Sequence, residues 1–524
     1  MYHIAIFCLT IVIALAYYIE AARILAVFPT PAYSHQSVFR VYIRALAERG
    51  HEIYVIKPST RIAYTDPVAD IELRGNITEI DASMSEEYFG KLIKASSVFR
   101  KRGVISDAST VTAHNYLNLV RMISDQFELR DVKQFIDHRK EYRFDVLVTE
   151  AFIDYPLVFS HLFHNLPVIQ ISSGYGVAEN FETMGAVSRH PIYYPNMWRD
   201  KFRDLNVWET INEIYMELSL QNEFSKLADE QDKMLKDQFG ADTPSVHELR
   251  NRVELLFLNT HAVFDNNRPV PPSVQYLGGL HLVKQNHLQA NYATLNGFVK
   301  EFLDNSTQGV VYVSFGSGIV TTDMDVEFRD MFLQVFASLP YNVLWKYDDI
   351  IPISKLPTNV FTQAWFDQFE VLKHPNVKAF VTQGGVQSTD EAIEALVPVI
   401  GLPMMGDQAF NANKYTELGI GRALNTHTVN AKQLIEAIVD VAESSNYRKK
   451  LLQLRHFIRH QAISPLQKAI WYTEHVITNK GKTMLKTKAA NVSYSDYVML
   501  NLCIPFVTVF VMNHLRQLLR INLF

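Results

Sequence analysis

The 524-residue chain carries 50 Lys+Arg against 55 Asp+Glu, a formal net charge of -5, and is 48% hydrophobic and 20% charged. That composition excludes a disordered chain, gives no electrostatic footprint for binding nucleic acid, and suits roughly two to four domains with their own cores. Cysteine occurs only at Cys8 and Cys503, so the long body between them holds no disulfide, thiol nucleophile or cysteine-ligated metal.

Residues 4–16 (IAIFCLTIVIALA) form an apolar run shorter than the roughly 20 residues that span a bilayer. Ala14-Leu15-Ala16 supplies a small-x-small cleavage pattern, and Glu20 soon follows. The run reads as a secretory signal peptide over 1–21, cut between residues 16 and 22, although only His3 precedes it where a basic residue is usual. The sequons at Asn76, Asn305 and Asn491 agree with a secreted glycoprotein.

From Arg23 the chain alternates strand and helix. Arg23–Phe28 is a buried-strand run, Val38–Arg49 has helical spacing and stops at Gly50, and Glu52–Lys57 returns as a strand, which makes a βαβ unit. Further strands are expected at Phe144–Val148 and Pro167–Ile171. The alternation restarts with strands at Val310–Phe315, Asn342–Trp345 and Val377–Thr382. Helices follow at 326–338, 386–396 and 408–418, and two more close the body near 446–459 and 466–478, the second opened by Ser464-Pro465. Two such runs predict an α/β protein of two doubly wound parallel sheets. Pro269, Pro271 and Pro272 mark the join, giving domains at 22–265 and 275–478.

Residues 479–524 are a basic linker (Lys480, Lys482, Lys486, Lys488) and an apolar tail. The run 497–512 is interrupted by Asn501 and Pro505 and flanked by Arg516 and Arg520, which is marginal for a span. Secretion without a stable anchor is the expectation, with retention in the endoplasmic reticulum membrane through 497–512 as the alternative.

The densest chemistry lies in Phe380–Gln408. Gln383-Gly384-Gly385 allows a tight turn between a strand and a helix, whose free N–H groups suit a phosphate. Ser388 adds a hydroxyl. Gln387 and Glu391, four residues apart, share a helix face, so Gln387 can face phosphates while Glu391 accepts from ribose hydroxyls. Asp407-Gln408 opens another helix and can bond sugar hydroxyls. Taken singly, a Gly-Gly is more often tight packing and an Asp at a helix start more often a cap.

Together these 29 residues match F-x-T-Q-G-G-x2-S-x2-E-x6-P-x4-P-x3-D-Q, and the chain so resembles the UDP-glycosyltransferase family from Arg23 to about Thr478. Val313–Ser317, Trp365 with Gln368, His374-Pro375 and Gly278-Gly279-Leu280 extend the likeness. Gln383 in place of the common His, QGGVQSTDEAIEALVP and GLPMMGDQ resemble most the ecdysteroid UDP-glucosyltransferases of insect baculoviruses.

The resemblance implies a GT-B fold, with two Rossmann-like domains facing a central cleft, the first binding the acceptor and the second UDP-glucose as co-substrate, with no further cofactor. It implies a metal-independent, inverting hexosyltransferase that glucosylates an ecdysteroid hydroxyl and blocks host moulting. The alternative is a cellular, membrane-anchored relative conjugating xenobiotics. It also implies that Trp365 stacks on uracil, Gln368 bonds uridine, and Ser317, Gln383, Gly384, Gly385, Gln387 and Ser388 surround the diphosphate.

His35, after the first strand, is the expected base, since an imidazole titrating near pH ~6.5 suits proton abstraction. Glu150 occupies the slot of the family's supporting Asp, and Asp154 is the rival. The acceptor pocket is expected within roughly 80–200, where Phe99, Tyr116 and Phe181 read equally as core or contact. Asp323-Met324-Asp325 spells D-x-D, but before a helix it reads as dipole complement rather than a metal site.

Overall fold

The computed structural model describes residues 21–59, 76–84, 111–199, 201–282, 295, 297–319, 321, 324–349, 351 and 356–521. Residues 1–20 of the expected signal peptide, Phe99 and Asp323 lie outside them.

Seven strands build the first sheet: β1 (Arg23–Val27), β2 (Glu52–Lys57), β3 (Ile77–Asp81), β4 (Val146–Glu150), β5 (Val168–Ser172), β6 (Val253–Leu258) and β7 (Val274–Tyr276). They are parallel throughout, in the order β3-β2-β1-β4-β5-β6-β7. The second sheet holds β8 (Val310–Ser314), β9 (Asn342–Lys346), β10 (Val360–Gln363), β11 (Val377–Thr382), β12 (Val399–Gly401) and β13 (Gly421–Ala423). It too is parallel, in the order β10-β9-β8-β11-β12-β13.

The period of two in each strand feeds two cores. In β1, Ile24 and Ala26 pack with Phe39, Tyr42 and Leu46 of the helix Tyr33–Glu48, whereas Leu25 and Val27 pack on the opposite face with Ile123 and Phe127. Burying both faces explains the nearly continuous apolar runs. In each sheet the order reverses once, between β1 and β4 and between β8 and β11. The crevices at the carboxyl ends of these pairs are where such sheets take ligands.

Most expected elements form within one or two residues of their bounds, and Val377–Thr382, 326–338 and 408–418 coincide with theirs. One difference matters. The helix expected from Val38 begins at Tyr33, so His35 stands in its first turn rather than in the preceding loop.

The join between domains also falls later than the proline cluster, because β7 still pairs with β6. The helix Pro465–Thr478 then returns to the first domain. Ala469 and Val476 enter the core beside β1, Tyr42 hydroxyl meets Thr473 Oγ1 at 2.6 Å, and Arg49 Nε donates to Glu474 Oε1 at 3.0 Å. Beyond it, the helix Leu500–Ile521 contains Pro505 and exposes Leu502, Phe506, Val509 and Phe510. Among the described residues no helix is long and apolar enough to cross a membrane.

Candidate active site

His35 and Glu150 meet at the first reversal point. β1 ends at Val27 and the chain turns through Pro29 and Pro31 into the helix that carries His35; β4 ends on Glu150. His35 Nδ1 is hydrogen-bonded to Glu150 Oε1, and Thr30 N–H donates to Glu150 Oε2 at 3.3 Å. The Glu150 side chain is only 3% exposed, so its carboxylate has few competing partners. With Nδ1 committed, Nε2 is the ring atom left for a substrate hydroxyl. Asp154 is engaged elsewhere: Arg250 Nη2 donates to it at 2.6 Å and Gln170 Nε2 at 3.0 Å. The structure therefore pairs His35 with Glu150 rather than Asp154.

An aromatic wall leads away from His35. The Phe152 ring stands 6.3 Å from the imidazole, Tyr116 6.0 Å from Phe152, and Phe224 5.4 Å from Tyr116. Tyr116 is thus joined to the base through Phe152, and it also packs against the core. Phe181 is a core residue, 1% exposed, with the Arg268 guanidinium over its ring.

At the second reversal point, the loop after β8 faces the turn after β11. Gly384 has φ +94°, and a Cβ there would meet Gln408 O at 3.1 Å, so the turn needs glycine twice over. Gly316, at φ +71°, lets the Gln383 amide approach its backbone, and Gln383 Oε1 is buried without a partner. Ser317 next to it is exposed. Gly385 caps the helix Val386–Ala395 with no side-chain bond, leaving the first-turn N–H groups for an anion.

Trp365 is half-buried, unlike the core Trp345, and carries the edge of Tyr33 at 5.4 Å. Below it Gln368 Nε2 donates to Glu391 Oε2 at 2.6 Å and Ser388 Oγ at 2.9 Å. Enclosure of the Glu391 carboxyl raises its pKa to about 7, the Gln368 bond pulling the other way.

Asp407 makes no capping bond. It accepts from Asn411 Nδ2 at 2.9 Å, and burial raises its pKa while Asn411 and the nearby His35 lower it. Gln408 Oε1 accepts from the backbone N–H groups of Met404 and Met405 at 2.9 and 3.0 Å, shaping the loop ahead of Asp407. Asp325 caps the helix Val326–Ser338 through the Phe328 N–H at 2.7 Å, the local role expected for it.

Sequence reading missed the residues that join the halves. Tyr175 hydroxyl donates to Asn411 Oδ1 at 2.7 Å, and Asn411 Nδ2 also donates to Gly384 O at 2.8 Å. His261 Nε2 lies 3.3 Å from Asp390 Oδ1. Gln387, expected to face phosphates, is instead bonded to Ser34 and Ser37 of the first domain. Only the invitingly polar Asn-x-Asn at 411–413 hinted at any of this.

Two parallel-sheet domains meet, with an imidazole–carboxylate pair on one side and a Gly-Gly anion turn on the other. A profile described as UDP-glucoronosyl and UDP-glucosyl transferase matches residues 23–519. The chain belongs to this family.

It is similar to the ecdysteroid UDP-glucosyltransferase of Mamestra brassicae nuclear polyhedrosis virus, 60% identical over 522 residues, covering 99% of this chain and 97% of that one. The protein of the same name from Autographa californica nuclear polyhedrosis virus is 48% identical over 512 residues, covering 95% and 97%. UDP-glycosyltransferase UGT5 of Dactylopius coccus is 28% identical, covering 91% and 88%.

Solved structures share the fold. A glycotransferase of kitacinnamycin aligns at TM-score 0.58 and 18% identity over 87% of this chain and 99% of that one. A UDP-glucosyltransferase from Polygonum tinctorium aligns at 0.58 and 15%, over 88% and 99%. This UDP-glycosyltransferase family member thus has the GT-B architecture, and it is a glycosyltransferase.

Proposed function

We propose that this enzyme transfers glucose from UDP-glucose to a hydroxyl of an ecdysteroid, with inversion at the anomeric carbon. The observation that carries the mechanism is the His35–Glu150 pair, which commits Nδ1 and leaves Nε2 for the acceptor. Nε2 takes the hydroxyl proton, and Glu150 stabilises the imidazolium that results. The oxygen attacks the anomeric carbon from the face opposite UDP. The Gly384-Gly385 turn, the first-turn N–H groups, Ser317, Gln383 and Ser388 receive the diphosphate; Trp365 stacks on uracil, Gln368 and Glu391 serve the nucleoside, and Asp407 and Gln408 the glucose.

The acceptor assignment is supported by the names of the viral relatives, the first 60% identical over nearly the whole chain. The aromatic wall of Phe152, Tyr116 and Phe224 suits the flat apolar body of a sterol. Glucosylating a moulting hormone in an infected insect would inactivate it and arrest moulting. We further place the enzyme outside the producing cell, released by cleavage within 16–22.

Conditioned medium from cells expressing the chain tests these points together. Labelled glucose should appear on ecdysone with EDTA present, and be lost with His35→Ala. Label on simple phenols alone, with activity confined to the membrane pellet, would replace this reading with that of a membrane-bound conjugating enzyme.

A further inference from the structure

The first turn of the helix Tyr33–Glu48 carries the proposed base, and its own side chains tie it to neighbouring backbone, Gln36 Nε2 donating to Phe28 O and Thr30 O at 3.0 and 2.9 Å and Ser37 Oγ to Ser34 O at 2.9 Å. Its N-cap is Ala32, which makes no side-chain bond to the first-turn N–H groups. Such a helix start frays unless something outside the helix holds it.

A further hold on it comes from the other domain. Gln387 Nε2 donates to Ser34 O, and Gln387 Oε1 lies 3.3 Å from the Ser37 hydroxyl, whose single proton it shares with Ser34 O at 2.9 Å. Both ends of one amide thus grip the residues on either side of His35. The backbone of Gln387 is fixed in turn, its carbonyl accepting from His281 Nε2 at 3.3 Å. Tyr33 adds an apolar contact through its edge on Trp365.

The side-chain length is part of the fit. An asparagine is one methylene shorter, about 1.5 Å, and would not reach Ser34 O and Ser37 Oγ together from the same backbone. An amide is also required: it offers a donor to the Ser34 carbonyl and an acceptor to the Ser37 hydroxyl, whereas a carboxylate would set its charge against the carbonyl oxygen.

We propose that Gln387 is a positioning residue, a latch between the domains that sets His35 for proton abstraction when the cleft is closed, and that it does not serve as a ligand of the diphosphate. The inference rests on His35 being the base. In this arrangement, closing the donor domain on UDP-glucose assembles the base at the same moment. An open enzyme keeps the His35–Glu150 pair but lacks the Gln387 contacts that set it, and leaves UDP-glucose unspent.

The test uses the full chain, with Gln387→Ala, Gln387→Asn, Ser37→Ala and His35→Ala measured side by side for kcat, for KM, and for binding of UDP and uridine by calorimetry. For Gln387→Ala and Gln387→Asn we expect kcat to fall at least tenfold while UDP affinity stays within twofold. Ser37→Ala, which removes the weaker of the two bonds together with the Ser37–Ser34 bond of the turn itself, should lower kcat about threefold.

A tenfold loss of UDP affinity in Gln387→Ala with uridine binding intact would make Gln387 a phosphate ligand and overturn the proposal. Unchanged kcat would overturn it as well. If Gln387→Ala does not fold, Gln387→Asn decides: a lower kcat at constant UDP affinity supports the latch, and wild-type kcat removes it. His35→Ala separates the two readings, because full turnover in that variant refutes the base itself, whatever Gln387 does.

Discussion

Glu150 is one methylene longer than an aspartate, and from the end of β4 it spans both His35 Nδ1 and the Thr30 N–H. His35→Ala should cut kcat by roughly 10²–10⁴-fold, the usual worth of a general base, with UDP affinity unchanged in a calorimetric titration. Glu150→Ala should cost more in kcat than Glu150→Gln, which can still accept from the ring. Asp154→Asn should show itself in thermal stability instead, since it weakens the Arg250 pair.

Glu391 gives a pH dependence with a definite sign. Its folded-state pKa, about 7, stands above the ordinary 4.5. Its contribution to folding is therefore fully present below about pH 4.5 and lost as pH rises through 7. Donor binding runs the other way, because ribose hydroxyls are best accepted by the ionised form. UDP affinity should fall about tenfold from pH 8 to pH 6, following the ionised fraction, and Glu391→Gln should flatten that slope.

Among elements, the turn Gln383-Gly384-Gly385 is the least forgiving. Gly384→Ala forces a side chain into φ +94° and against Gln408 O, at a cost of about 1–2 kcal/mol for the conformation alone. Lower thermal stability and weaker UDP binding should appear together. The turn was legible in the sequence because its geometry at Gly384 leaves no residue but glycine.

The helix start at Tyr33 was not legible, since Tyr33–Ser37 shows no apolar period and Ala32 signals no cap. The long helix Val207–Phe239 escaped for the opposite reason. It buries Glu217 and Gln231 alongside Leu220, Leu227 and Leu235 and exposes Val207, Trp208 and Tyr215, which blurs the pattern that reveals a helix. Glu217 is buried because it accepts from the Asn196 N–H at 2.7 Å, a partner that no local pattern encodes. Strands β12 and β13, three residues each, are too short to show a period.

On the scale of the whole molecule, both sheets were readable as two runs of strand and helix. The seam between them was not, because Tyr175–Asn411, His261–Asp390 and Gln387–Ser34 join residues more than a hundred positions apart. The exposed helix Leu500–Ile521 takes no part in that seam. Truncation before Leu500 should leave kcat/KM within twofold and the melting temperature unchanged; a fall in the fraction that sediments with vesicles would assign the tail to lipid.

The return of Pro465–Thr478 to the first domain bears on how the chain is made. A ribosome that has released the whole first sheet still holds back the helix that covers one of its faces, together with Thr473 and Glu474 for Tyr42 and Arg49. The amino-terminal half must wait, partly uncovered, through the synthesis of the entire second sheet. Premature termination anywhere before residue 465 thus spoils the half already made as well as the half left unfinished, and the gene cannot be split at the proline cluster into two self-sufficient pieces.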